Sequence, residues 1–379
     1  MLRDGMSLPA PPPRDDRPVR RQREKGMILE KTTIGSAPHA YLTRTTAHRM
    51  WLVSACLVPP VLQSAAGDGW RSLSVALAAV VAALLSEAVL DVGTERRSVA
   101  DGSAAATALV LALLLPNLIN PAAAALGAIF AIVVVKRSFG GLGSNWLNPA
   151  VAGWLFIRAS WPAAFSAALS RSPLNELGVA VSKGLSDPNG SPLAILKVAG
   201  FKASGIDTLV SRSLNDGILS WMGAELPGGY VDLFMSADPG IIADRGALAL
   251  LLATIILLAH RSMRSAVPGV FLFVLAALVR FGGALPYGGS FGGGDVLFSF
   301  LTGGTILGAF LLIADPATGP KSERSVVAIA AVTAAIAYGL RYRGAEQYAA
   351  PLAAGVVNAF VPYVRMVESR YLYSRWRHS

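Results

Sequence analysis

Residues 72–92 read SLSVALAAVVAALLSEAVLDV, and Glu87 and Asp91 are the only charged side chains among them. An α-helix needs about 20 mostly apolar residues to cross the hydrocarbon core of a bilayer. This stretch therefore predicts a membrane-spanning helix. Similar runs recur along the chain, and the full set of predicted spans is 50–66, 72–92, 102–117, 122–136, 149–166, 246–260, 266–281, 296–314, 325–340 and 349–366.

The composition of the whole chain supports this interpretation. Of its 379 residues, 53% are hydrophobic and only 15% are charged, and the mean hydropathy is +0.52. A soluble domain carries roughly a quarter charged residues, so this chain has too few charges to cover a water-exposed surface. The sequence predicts an all-α polytopic membrane protein.

Basic residues are concentrated at the two ends of the chain. Residues 1–49 hold ten Lys and Arg against five Asp and Glu, and residues 365–379 hold four Arg against one Glu. Because cytoplasmic segments of membrane proteins carry an excess of Lys and Arg, both termini are predicted to be cytoplasmic. No basic domain with interleaved aromatic residues accompanies these charges, so we expect no nucleic-acid partner.

The order of the spans suggests two related halves. An odd number of helices in each half gives the halves opposite orientations, which is the inverted-repeat arrangement of many transport folds. Two Gly- and Pro-rich segments, 140–154 and 298–316, predict paired broken helices that line a central site. The predicted organisation is a disordered basic tail at 1–36, a five-helix repeat at 37–166, an extracytoplasmic connecting segment at 167–245, a second five-helix repeat at 246–366 and a basic tail at 367–379.

The rare residues exclude several kinds of redox centre. Cys56 is the only cysteine, and the four histidines lie in tails or at the ends of spans. Zinc sites and iron–sulfur clusters need more thiols, and a haem with two axial histidines needs them inside the helices. If the protein carries electrons, the carrier is therefore organic.

Charged residues inside apolar spans are candidates for an ion path or a cofactor site, because each costs about 2.5–3.5 kcal/mol at a helix centre. Glu87 is flanked by apolar residues on both sides, which favours a functional role. For Asp91 and Arg158, function and placement at a helix end both remain open. Arg280 and Asp315 are interpreted as helix-end residues.

Six sequence blocks occur in an order that resembles the RnfD/NqrB family. These are the membrane subunits of Rnf complexes and of the sodium-translocating NADH:quinone reductase. The resemblance covers about residues 37–368. The blocks are PHAYLTRTTAHRM (38–50), SEAVL around Glu87, DGSAAATALVLALLLP (101–116), KRSFGGLGSNWLNPAVAGW (136–154), ADRGALALLL (243–252) and GGTILGAFLLIADPATG (303–319).

The resemblance implies a fold of ten helices in two inverted repeats within the bacterial inner membrane. It implies FMN joined by a phosphoester to a threonine on the outer face, and riboflavin held without a covalent bond. It also implies partner subunits that carry iron–sulfur clusters and nicotinamide or ferredoxin sites. The chain is then expected to pass electrons as part of a translocase coupled to Na⁺ or H⁺ movement, and not to act as a complete enzyme alone.

The flavin-attachment motif departs from the family pattern, which is D-x-x-[ST]-x-A-T followed by PLA. In SDPNGSPLAILK (186–197) the downstream half matches and places Ser191 where the acceptor threonine belongs. Asp187, however, is four residues before Ser191 instead of six, and Gly190 replaces the alanine. Thr208 is a second candidate without the PLA context, and an ordinary external turn without flavin remains an alternative.

Other family-matched polar positions receive roles as hypotheses. Ser103 and Thr107 share one helix face and are predicted to hydrogen-bond a flavin ring or to line an ion path. The amide oxygens of Asn145 and Asn148 are candidate ligands for a hard cation. Helix packing through small and hydroxyl residues is the alternative for each. The predicted cofactor contacts further include Thr302, Gly303, Gly304 and Thr305, and the predicted ion path further includes Glu87 and Asp91.

Three functions remain open from the sequence. The first is a flavin-bearing redox subunit of an Rnf-like complex. The second is an inverted-repeat permease without redox chemistry, and the third is a scaffold subunit that has lost its covalent FMN. A redox subunit should purify yellow and with partners, whereas a permease should bind a colourless solute alone.

Overall fold

The computed structural model describes residues 45–92, 98–141, 143–170, 172–187, 191–235, 240–343 and 346–378. In these residues the chain forms helices and one isolated antiparallel bridge between Pro116 and Ile241, with no extended strand. Five of the described helices are long and apolar enough to cross a membrane. The all-α polytopic class is confirmed. The predicted tail at 1–36 lies outside the described residues.

The first half contains five helices. The helices α4 (Pro121–Phe130) and α5 (Pro149–Ser160) each begin at the proline of an Asn–Pro pair, in which the Asn side chain caps the helix and the proline needs no hydrogen-bond partner at its nitrogen. The fourth helix continues as a π-helical turn through Ala131–Arg137. The bounds are α1 Thr46–Asp68, α2 Arg71–Asp91, α3 Ser103–Leu114, α4 Pro121–Phe130 and α5 Pro149–Ser160.

The described residues of the segment between the halves form six short helices. This segment starts earlier than predicted, because the span expected at 149–166 is divided at Trp161, after which Pro162 begins a new helix. Proline cannot donate the hydrogen bond that would continue α5. The bounds are α6 Pro162–Leu169, α7 Pro173–Ser182, α8 Pro192–Ala199, α9 Gly205–Leu214, α10 Tyr230–Phe234 and α11 Ile242–Arg245.

The second half, where described, again contains five helical segments, of which the third is broken. Its last helix continues to residue 378, so the predicted basic tail at 367–379 extends this helix. The bounds are α12 Ala247–Ala259, α13 Ala266–Gly282, α14 Val296–Leu301, α15 Thr305–Leu307 with a π-helical continuation Gly308–Leu312, α16 Glu323–Arg341 and α17 Ala349–His378.

The third segment of each half is interrupted at a glycine in the left-handed region. Gly102 (φ 74°) separates a 3₁₀ turn at Ser98–Asp101 from α3, and Gly303 (φ 74°) and Gly304 (φ 65°) separate α14 from α15. Glycine adopts these angles without the steric cost that other residues meet. The prediction that segments 140–154 and 298–316 form the corresponding breaks of the two halves is therefore wrong for the first segment. Residues 138–148 are not helical where described, and the break at Gly102 matches the one at 303–304.

The two ends of the helices define two faces of the molecule. The connector face is the one on which the segment 161–246 lies, where the Asn117 N–H donates to Gly240 O at 3.3 Å. On the opposite face, the Trp51 indole N–H donates to Ala100 O at 3.0 Å. The two halves meet closely along α1 and α12, since a Cβ on Gly246 would lie 2.4 Å from Pro60 O. Small residues at helix contacts permit this approach.

Candidate functional site

A cavity of about 390 Å³, which has both apolar and polar walls and is called the polar cavity below for the polar side chains it collects, opens between the two halves toward the opposite face. Its walls come from the starts of α1 and α3, the 138–148 loop, and the chain that follows the second break. The polar side chains on these walls include Arg49, Ser103, Thr107, Lys136, Asn145, Asn148 and Asp315. Two pairs of predicted site residues from distant parts of the sequence, Ser103 with Thr107 and Asn145 with Asn148, are thus brought together here.

A buried ion pair forms the floor of this polar cavity. The Lys136 ammonium donates to Glu87 Oε1 at 2.5 Å and to Ser103 Oγ at 2.5 Å. The side chains of Lys136 and Glu87 are 2% and 0% exposed, respectively. Glu87 Oε2 has no hydrogen-bond partner among the described residues. A charge buried this deeply persists only when paired, so the pair anchors α2 to the end of the fourth helix.

Lys136 is a candidate site residue that the sequence analysis did not single out. In the sequence it follows an apolar run and precedes Arg137, which is typical of a cytoplasmic loop. In the structure it lies in the last turn of the π-helical continuation of α4 and points into the protein. No local sequence signal pairs it with Glu87, 49 residues earlier.

Ser103 and Thr107 lie on the cavity wall at the start of α3. The Ser103 hydroxyl and N–H both donate to Asp101 Oδ1, the latter at 2.7 Å. Thr107 donates its hydroxyl to the carbonyl of Ser103 at 2.8 Å. The break at Gly102 therefore presents a polar edge, one α-helical turn deep, to the cavity.

The two asparagines differ in how their amides are used. Asn148 Oδ1 caps α5 by accepting from Ala150 N at 3.0 Å, while its amide group donates to Asp315 Oδ2 at 3.2 Å. Asp315, interpreted from the sequence as a helix-end residue, thus contacts a residue of the first half. Asn145 is buried, and its Oδ1 has no hydrogen-bond partner among the described residues. An amide oxygen without a partner in a polar cavity is a natural contact for a ligand N–H or a cation.

Asp91 does not line the cavity. Its carboxylate accepts from Arg137, from the Ser98 hydroxyl at 2.8 Å and from Val99 N at 3.2 Å. These contacts fasten the end of α2 to the 3₁₀ turn that precedes Gly102. The structure therefore gives Asp91 a positioning role beside the first break.

The second break repeats the chemistry of the first at the connector face. Gly303 N and Gly304 N donate to the Asp244 carboxylate at 2.8 and 2.9 Å. Arg341, at the end of α16, donates to Thr302 Oγ1 at 2.6 Å. In both halves a buried cation from the fourth helix therefore contacts the break in the third.

A small cavity adjoins the second break among the described residues. The cavity that includes Thr302 and Asp244 measures about 40 Å³, and the Thr305 hydroxyl donates to Ser299 O at 2.7 Å. A Cβ on Gly304 would lie 2.9 Å from Pro351 Cγ. The glycines allow close packing of the protein on itself here, and the predicted ring contact of residues 302–305 stays a prediction. Burial raises the pKa of Asp244, which the two glycine N–H groups and Arg341 counteract.

The two candidate attachment residues both lie in the connecting segment. Ser191 is partly exposed at the start of α8, where its Oγ accepts from Ala194 N at 3.4 Å and its N–H donates to Asp187 Oδ2 at 2.9 Å. Thr208 is exposed on α9, and its hydroxyl donates to Gly205 O at 2.9 Å. Gly190 lies outside the described residues. Neither Ser191 nor Thr208 lines the polar cavity, so a flavin on either would be a separate group.

Comparison with known proteins gives a consistent set of relatives. A family model described as the NQR2, RnfD, RnfE family matches residues 33–373. The chain is 28% identical over 335 residues to the D subunit of the proton-translocating ferredoxin:NAD(+) oxidoreductase complex of Clostridium ljungdahlii, covering 88% of this chain and 93% of the relative. It is 28% identical to the D subunit of the ion-translocating oxidoreductase complex of Vibrio vulnificus, covering 87% and 96%. The corresponding protein of Citrobacter koseri is 29% identical, with coverage of 87% and 95%.

Proposed function

The chain belongs to the NQR2/RnfD/RnfE family, and we propose that it is the D-type membrane subunit of an ion-translocating oxidoreductase complex. In this role it passes electrons through bound flavin, coupled to Na⁺ or H⁺ movement. The subunits that carry iron–sulfur clusters and nicotinamide or ferredoxin sites are its partners. The membrane is the bacterial inner membrane, with the connector face outside and both termini in the cytoplasm.

The polar cavity is the observation that carries the flavin proposal. Its volume of about 390 Å³ is in the range of small-molecule sites. The pyrimidine edge of a flavin presents carbonyl oxygens and an N–H, and the cavity offers complementary groups. Asn145 Oδ1 is buried and has no partner among the described residues, and Lys136 directs a cation toward the same space. The residues present therefore fit a flavin held without a covalent bond.

The protein's own residues have distinct tasks in this proposal. A bound flavin supplies one- and two-electron redox chemistry. The Lys136–Glu87 ion pair places a fixed dipole beside the ring site with its ammonium toward the cavity, and a fixed dipole costs no reorganisation when negative charge develops nearby. Glu87 and Ser103 hold the ammonium in place. Asn145 and Thr107 orient the ring through hydrogen bonds.

The coupling ion is assigned to the same cavity. Asn148 and Asp315 supply oxygen atoms, which are the ligands that hard cations prefer. Asn145 Oδ1 has two lone pairs, so it can contact the ion with the one that the flavin N–H does not use. Behind them lies Glu87 Oε2, which has no hydrogen-bond partner in the described part of the chain. We place the entry of the ion path at these residues, and Asp91 supports the path by holding the first break.

The cavity is tested by measuring non-covalent flavin in the purified full complex. Asn145→Leu fills the space and removes the buried acceptor, so it should lower the flavin released by denaturation several-fold. Ser144→Leu, at an exposed neighbouring position, should leave the flavin content unchanged. An Asn145→Leu complex with full flavin would contradict the site. A colourless wild-type complex would favour the permease instead.

Covalent FMN is assigned to Ser191, whose place at the start of α8 puts a bound phosphate at a helix N-terminus. The test is flavin fluorescence of the denatured protein in a gel, after co-expression with a flavin transferase. We expect a fluorescent band that Ser191→Ala abolishes and Thr208→Ala retains. The reverse result would move the attachment to Thr208. The absence of a fluorescent band in the wild type would contradict covalent attachment of FMN. The flavin proposed in the polar cavity would still be tested by the flavin content of the complex.

A further inference from the structure

A second cavity, of about 650 Å³, opens at the connector face. It lies between the end of α5, the helices α6 and α7, and the turn that precedes α17. None of the predicted cofactor or ion-path residues lines it, and it is distinct from the polar cavity on the opposite face. We call it the Arg158 cavity, because Arg158 is the only charged residue among the described residues that line it.

The Arg158 guanidinium is held by aromatic rings and has no counter-ion in the described part of the chain. Its Cζ lies 5.5 Å from the ring centroid of Trp154 and 5.0 Å from that of Tyr348. Among the described residues its Nη1 is buried without a hydrogen-bond partner. Arginine stacks on rings while keeping its N–H donors in their fixed planar arrangement. The cavity therefore contains a positively charged guanidinium whose N–H groups are available to donate hydrogen bonds.

Tyr348 adds a second unused donor to the wall of the cavity. Its side chain is 3% exposed, and its hydroxyl has no hydrogen-bond partner among the described residues. Trp154 and Phe165 pack around it, with ring centroids at 4.9 and 6.0 Å. Burial raises the pKa of Tyr348 above its usual value, although Arg158 and the Trp154 indole N–H lower it, so the hydroxyl stays protonated. The indole N–H can only donate, so the Tyr348 O–H is still able to donate to a ligand. A buried polar group without a partner calls for a ligand that can accept.

The remaining wall is amphipathic. Apolar side chains of Phe165, Leu169 and Val179 line one part, and Asn175 and Gln347 line another. Gln347 is fixed by donating to Ser172 Oγ at 2.6 Å. Arg158 lies near the end of an apolar helix that is followed by Trp161, the arrangement of residues found where hydrocarbon meets headgroups.

We propose that the Arg158 cavity binds a phosphate group, carried by an anionic phospholipid at the surface of the membrane. The guanidinium N–H groups and the Tyr348 hydroxyl donate to the phosphate oxygens, and charge-assisted bonds of this kind are stronger than neutral ones. The apolar wall accommodates the start of an acyl chain. This assignment does not depend on flavin or on the proposed redox role.

The proposal is tested on the delipidated full chain in detergent. Phosphatidylglycerol, phosphatidylcholine and inorganic phosphate are added separately, and bound lipid is counted by native mass spectrometry alongside the melting temperature. We expect saturable binding of phosphatidylglycerol that raises the melting temperature. Saturable stabilisation by inorganic phosphate alone would identify free phosphate as the source of the same group. No saturable effect of any of the three would overturn the proposal.

Variants separate binding from folding. Arg158→Gln should weaken phosphatidylglycerol binding at least about tenfold, the effect of losing a hydrogen bond to a charged group. Arg158→Lys should retain part of the affinity, and Tyr348→Phe should weaken binding without removing the charge. Arg212→Gln is the matched control, since its side chain is 85% exposed in the same connecting segment. Equal phosphatidylglycerol binding by Arg158→Gln and the wild type would refute the assignment, as would equal losses in Arg158→Gln and Arg212→Gln.

Discussion

At the scale of single residues, the Lys136–Glu87 pair is the contact on which the polar cavity depends. Lys136→Met leaves the Glu87 carboxylate buried without a cation, and breaking a buried pair in this way costs about 3–5 kcal/mol. We expect a marked fall in the thermal unfolding temperature of the variant in detergent. Glu87→Gln combined with Lys136→Met removes both charges and should recover part of the loss.

The double variant shows whether Lys136 and Glu87 stabilise the protein jointly or independently. If the two single losses simply added, the side chains would stabilise the protein independently, contrary to the 2.5 Å contact. Arg212→Gln supplies a comparison with an exposed ion pair, Arg212 with Asp216, for which we expect almost no change.

At the scale of elements, the second break requires glycine. Gly304→Ala combines a left-handed backbone with a Cβ 2.9 Å from Pro351 Cγ and 3.2 Å from Ile241 Cδ1. Left-handed strain costs about 1–2 kcal/mol before any overlap, so thermal unfolding should occur at a clearly lower temperature. Gly339→Ala, inside α16 with no atom within 4 Å, should be neutral or slightly stabilising. Equal effects of the two substitutions would show that the break does not need its glycine.

The N-cap of α5 links the two halves as well as starting a helix. Asn148→Ala loses both the cap and the hydrogen bond to Asp315, whereas Asn120→Ala loses only the cap of α4. A lost cap costs about 1 kcal/mol. We expect the Asn148 variant to unfold at the lower temperature of the two. If both variants were equally stable, the contact to Asp315 would contribute nothing.

At the scale of the whole molecule, the orientation in the membrane can be measured by cysteine labelling. In a Cys56→Ala background, Ser220→Cys places a thiol at an exposed position of the connector face, and Ser144→Cys places one in the exposed 138–148 loop. A maleimide that cannot cross membranes should label intact cells only at position 220. Labelling at position 144 should require permeabilised cells. The opposite pattern would invert the proposed topology.

Hydropathy alone determined the all-α polytopic class and the approximate positions of the long apolar helices, because an apolar run long enough to span a bilayer is a local property of the chain. The predicted starts at 122 and 149 lie within one residue of the observed starts at Pro121 and Pro149, where an Asn–Pro pair supplies the cap. The end of α5 at Ser160 was not predicted, because the apolar run continues past Pro162 although the helix does not.

The tertiary structure alone decided which polar residues meet. Asn148 and Asp315, which form a hydrogen bond, are 167 residues apart. The sequence around Lys136 is typical of a loop, and only the packing of α4 against α2 shows that this side chain is buried. The same packing filled the second break with protein while leaving space at the first, although both are rich in small residues. These outcomes depend on how closely helices approach at particular glycines, a property of contacts between distant segments that local hydropathy does not encode.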